Sequence, residues 1–105
     1  MALYNRRQLA QMRVQDMRTR LQNPHLTDNQ RLYYRILGEI SLVNVFYASF
    51  GDIDTTNYPP SHIFTIAAMY HRILDLVGRE KFDLLEAAGQ LANINLDVTN
   101  NILSQ

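Results

Sequence analysis

Few side chains in this sequence are placed to do chemistry. His25, His62 and His71 are the only imidazoles, and no two of them stand at the i, i+4 spacing that lets a helix present paired metal ligands. Cysteine does not occur, which excludes zinc or an iron–sulfur cluster held through thiolates. His71 and Asp75 lie one turn apart and predict an ordinary helical pair. A serine nucleophile would have to come from Ser41, Ser49, Ser61 or Ser104, yet none has the G-x-S-x-G setting that exposes a hydroxyl on a tight elbow. Phosphate loops cluster their glycines so that backbone N–H groups converge on the anion. Here Gly38, Gly51, Gly78 and Gly89 are scattered. No E-x-x-H pair of the di-metal bundle type occurs either.

The run Asp52-Ile53-Asp54-Thr55-Thr56-Asn57 puts oxygen ligands close together, as calcium loops do. An EF-hand would then need Gly at the sixth loop position and Glu at the twelfth, where this chain has Asn57 and Ile63. Asp, Asn and Thr also form turns by bonding their own backbone, so the run reads as a structural loop. Together these residues predict no catalytic site, no metal and no cofactor, and a protein that is not an enzyme.

At 105 residues and 12.2 kDa, with 47% hydrophobic and 19% charged residues, the chain reads as one globular domain spanning 1–105. No run approaches the roughly 20 apolar residues of a membrane span, and the N-terminus shows no apolar leader segment. With no cysteine to form disulfides, the expectation is a protein of a reducing compartment, the cytoplasm. Charge balances overall but not along the chain. Residues 1–31 carry Arg6, Arg7, Arg13, Arg18, Arg20 and Arg31 against Asp16 and Asp28, a net of +4. Residues 82–105 carry Asp83, Glu86 and Asp97 with no Lys or Arg, so the two ends are electrostatic complements, within one copy or between two.

Sparse Gly and Pro separate long segments with helical period, which predicts an all-α bundle of four or five helices at about 5–22, 28–50, 61–77, 80–92 and 97–104. In the first, Leu3, Ala10, Val14, Met17 and Leu21 share a face, flanked by Arg6, Arg13 and Arg20. The second opens on Thr27-Asp28-Asn29-Gln30, a capping-box pattern, and closes at Gly51 as C′ residue. Its main stripe is Leu32, Tyr33, Ile36, Ile40, Val43, Tyr47 and Phe50, and it stays apolar elsewhere through Tyr34, Leu37, Leu42, Val45 and Phe46. Gly38 marks either a close approach of another backbone or a tolerated interruption. In the third helix Ser61 is expected as N-cap, with Ile63, Ile66, Ala67, Tyr70, Ile73, Leu74 and Val77 inward.

Residues 87–103 resemble a helix-turn-helix, with Ala88 or Gly89 closing the helix crossing, a turn at Asn93-Ile94-Asn95 and Ile102-Leu103 as anchors. The pattern departs at Thr99, usually apolar, and at Leu96, commonly polar. No Lys or Arg from residue 82 onward is available to grip phosphate, so any grip would fall to Arg6, Arg13 and Arg20. A plain helical hairpin is the preferred reading.

The leading expectation is a protein–protein interaction or assembly protein, with Tyr34, Leu42, Val45 and Phe46 as its partner-binding surface. The partner is a second copy, in a dimer or higher oligomer, or another protein. Small cysteine-free helical chains of this kind are frequent among phage and viral accessory proteins. The alternative is a small nucleic-acid-associated regulator that uses the C-terminal hairpin with Arg6, Arg13 and Arg20 as anionic-partner contacts. No membrane partner is expected.

Overall fold

Five helices and one 3₁₀ turn make up the computed structural model, which describes residues 3–50 and 55–105. Each helix start has a local cause. At the head of α1 (Arg6–Leu21), Asn5 Oδ1 accepts from Gln8 N–H at 2.8 Å and Gln8 Oε1 accepts from Asn5 N–H at 2.9 Å. At the head of α2 (Asp28–Phe50), Thr27 and Gln30 make the same reciprocal pair, at 2.9 and 3.1 Å, as the sequence pattern predicts. Arg31 then reaches back from α2 to donate to the carbonyls of Leu21 and Asn23, satisfying acceptors that the end of α1 leaves open. Gly51 and Asp52-Ile53-Asp54 lie outside the described residues, so the expected C′ glycine and most of the oxygen-rich loop do too. Thr55–Asn57 forms the 3₁₀ turn.

In α3 (Pro60–Val77) the expected cap is displaced. Pro59 is the N-cap and makes no side-chain capping bond, Pro60 is the first helical residue, and Ser61 already lies inside the helix. Proline presets the helical φ at the first position and has no N–H to leave unsatisfied. The inward stripe also differs by a fraction of a turn. Ile66, Met69 and Ile73 are buried, whereas Ile63 and Ala67 are exposed. Ile73 sets the phase of that stripe in the middle of the helix, and Met69, one turn before it, fills the place expected of Ala67.

Gly78 ends α3 at φ +86°, ψ 164°, a region essentially closed to residues with a Cβ, and begins α4 (Arg79–Ala87). The fourth helix stops at Ala87, not near residue 92. Gly89, at φ +74°, takes the left-handed C′ position; its N–H bonds to Glu86 O, and Gln90 N–H bonds to Leu85 O. That 6→1 and 5→2 pair is a Schellman closure, and it turns the chain before the apolar period ends. Asn95 caps α5 (Leu96–Leu103) by accepting from Asp97 N–H.

The fold is an all-α bundle with α2 at its centre. One side of α2 meets the main core, where Ile40, Val43, Ile73 and Leu85 are fully buried with Phe82, Leu91 and Ile102 around them. Another side meets α1, with Met17 beside Leu37 and Ala10 beside Asn44. The Cβ of Met17 lies 3.5 Å from where a Cβ on Gly38 would stand. α1 and α3 both run antiparallel to α2: Met17 lies beside Gly38 and Ala10 beside Asn44, while Arg72 pairs with Glu39 and His62 packs on Phe46 and Phe50. No helix among the described residues is long and apolar enough to cross a membrane.

Candidate functional site

Three of the four expected partner residues come together. Leu42, Val45 and Phe46 line an open groove of about 420 Å³ between α2 and α3, closed on the far side by Met69 and Thr65. Each of the three is half-buried, so none is spent wholly on the core. Phe46 has a second role at the groove's inner edge. Its ring lies 4.9 Å from Phe50, 5.4 Å from His62 and 6.4 Å from Tyr58, in an aromatic cluster that seals the end of the core. A second groove, of about 200 Å³, runs between α1 and α2 past Val14, Arg18, Arg35 and Gly38. Leu42 belongs to both grooves. Arg35, Glu39, Leu42, Val45, Phe46 and Ser49 recur at three- and four-residue spacing, so one continuous face of α2 floors both. The ion pair from Arg72 Nε to Glu39 Oε2, at 3.2 Å, stands where they meet.

Tyr34 lies elsewhere. Its ring carries the Arg20 guanidinium at 5.5 Å, and Arg20 Nε also donates to Asp16 Oδ1 at 3.1 Å. With Arg13 and Leu96 they border a depression between α1 and the start of α5. Arg6, at the other end of the row, donates to Ala92 O at 2.8 Å, and Arg6 and Arg13 together face Asn93 and Ile94. The arginine row therefore adjoins the α4–α5 connection, with Arg6 and Arg20 already engaged inside the fold.

The residues that hold that connection belong to no motif in the sequence. Asn44, 1% exposed, donates through Nδ2 to the carbonyls of Gln90 and Leu91 and accepts at Oδ1 from Ile94 N–H at 2.7 Å. Gln90, 4% exposed, accepts at Oε1 from Asn95 N–H and from the Thr99 hydroxyl, both at 2.7 Å. Thr99, the departure from the helix-turn-helix pattern, is thus an interior residue with its hydroxyl bonded. The connection spans residues 88–95, longer than the three or four residues of a helix-turn-helix turn.

The histidines stand apart in role. His71 Nε2 lies 3.7 Å from Asp75 Oδ2, the predicted pair, with both side chains more than two-thirds exposed. His62 packs on the rings of Phe46, Phe50 and Tyr58. Among the described residues, no group of three or more His, Asp or Glu side chains is placed to hold a metal ion. Tyr70 shares a hydrogen bond with Tyr47 across the core edge. Burial first, then that bond, hold the Tyr70 hydroxyl well above the usual tyrosine range. Comparison with protein-family models, with curated proteins and with solved structures gives no match for this chain.

Proposed function

We propose that this chain is a non-enzymatic helical interaction protein whose docking surface is the open face of α2, centred on Leu42 and Val45. One observation carries the reading. Although α2 is central and covered by α1 on one side and the core on another, it keeps a third face on which Leu42, Val45 and Phe46 meet Met69 in an open, apolar groove. A central helix ordinarily buries such residues, and grooves of this character serve as helix-docking sites.

The test is light scattering behind size-exclusion chromatography over a range of concentrations, with the Val45→Asp variant alongside. Val45 is preferred to Phe46 as a probe because Phe46 also seals the aromatic cluster. Loss of assembly or partner binding in Val45→Asp with unchanged circular dichroism is the expected result. Unfolding of the variant would assign Val45 to the monomer's own stability.

The position of Arg6 and Arg13 beside Asn93 and Ile94 favours a second reading, a nucleic-acid-associated regulator gripping phosphate along α1. It requires duplex binding that weakens steeply with salt. No mobility shift at low salt, with protein at tens of micromolar, removes it.

A further inference from the structure

The open face of α2 has two halves of different character. Toward Phe50 it is apolar, with Val45 and Phe46 on the floor and Met69 on the α3 wall. Toward Arg35 it is basic: Arg18 rises from α1, Arg35 from α2 and Arg72 from α3, against the single carboxylate of Glu39. Glu39 already accepts from Arg72, and neither Arg18 nor Arg35 has a hydrogen-bond or ion-pair partner among the described residues. The floor from Arg35 to Ser49 runs about 21 Å at 1.5 Å per residue, the length of a helix of about four turns.

We propose, building on the docking reading above, that this trough binds an acidic amphipathic helix of another protein. Its apolar side chains lie over Leu42, Val45 and Met69, and its carboxylates face Arg18 and Arg35. Helical walls on both sides favour a helix as the occupant, since side-chain ridges of a third helix fit the grooves of two. The charge follows from desolvation: covering two unpaired guanidinium groups with neutral surface is costly, whereas carboxylates supply charge-assisted hydrogen bonds. A second copy of this chain fits poorly. Its acid-rich C-terminal region bears helices of only 9 and 8 residues, the first of which also carries Arg79 and Lys81, and their apolar sides, Phe82, Leu85 and Ile102, are buried in its own core.

The experiment is selection from a displayed library of 16-residue peptides on the intact protein, with Val45→Asp as counter-selection. Enriched peptides are expected to carry apolar residues at i, i+3 or i+4, and i+7 together with net negative charge. The best of them, synthesised, should bind the Arg18→Glu/Arg35→Glu variant at least about tenfold more weakly while the variant keeps its circular dichroism. Val45-dependent peptides that are neutral or basic would overturn the acidic occupant and leave the docking surface standing. A dimer abolished by Val45→Asp would replace the foreign helix with a second copy. Duplex binding lost with the two arginines but kept in Val45→Asp would replace it with nucleic acid. A monomer that selects no Val45-dependent peptide would overturn this inference and the docking reading alike.

Discussion

Asn44 shows how one buried polar side chain can organise a segment it is far from in sequence. All three of its hydrogen bonds go to the backbone of Gln90, Leu91 and Ile94, groups that an irregular connection cannot pair within itself. Asn44→Ala removes the partner and leaves those groups buried. At about 1–3 kcal/mol for each buried group left unpaired, a loss of about 3 kcal/mol is expected in urea unfolding, before any relaxation of the connection. A loss below about 1 kcal/mol would mean that water satisfies these groups, and the staple would not be what holds residues 90–94 in place. Nothing near Asn44 in sequence announces this role, because its partners lie 46 to 50 residues away. The Thr27 capping box, by contrast, is legible at a glance: both its bonds close within three residues. The candidate surface falls between these cases. An apolar surplus on α2 can be read from Leu42, Val45 and Phe46, but only the placement of α3 decides that these three share a groove while Tyr34 pairs with Arg20.

At the scale of elements, helix existence follows from period and punctuation, while phase and end points follow from packing. The α3 face is the clearest instance. Ile63, Ala67 and Met69 are all apolar and differ in burial only because Ile73 fixes which side meets the core. α4 is cut short for a similar reason, since the Schellman closure at Gly89 is set by backbone geometry and the apolar period runs on past it. Gly38 resolves differently. The neighbour that a Cβ would meet is the Met17 side chain at 3.5 Å, an ordinary contact distance, and no backbone of α1 crowds the site. Gly38→Ala is therefore expected to raise stability by up to about 1 kcal/mol through helix propensity. Gly38→Leu should lower it, because the larger side chain must displace Met17 and with it α1. If thermal unfolding shows Gly38→Ala destabilising, α1 sits closer to α2 than the Met17 contact implies.

The whole molecule is a slab, 43 × 40 × 24 Å, about two helix layers thick, with a radius of gyration of 14.0 Å. That is slightly above the roughly 13 Å of a compact chain of this size, which suits a molecule that leaves one face of its central helix open. The main core joins α2 to α5, with one rim where the hydroxyls of Tyr47 and Tyr70 bond to each other. This rim makes the global stability sensitive to alkaline pH. Tyr70 is held protonated in the folded chain well above the roughly pH 10 at which it ionises when unfolded. Its contribution is thus complete below pH 10. Above it the unfolded chain gives up the proton that the folded chain keeps, so stability falls as pH rises. Tyr70→Phe removes that titration from both states. The variant should be somewhat less stable near neutral pH, having lost the bond to Tyr47, yet its stability should fall less steeply between pH 10 and 11 than that of the wild type. Denaturant midpoints at a series of pH values would show it, and parallel curves for the two proteins would mean that Tyr70 ionises as freely when folded as when unfolded.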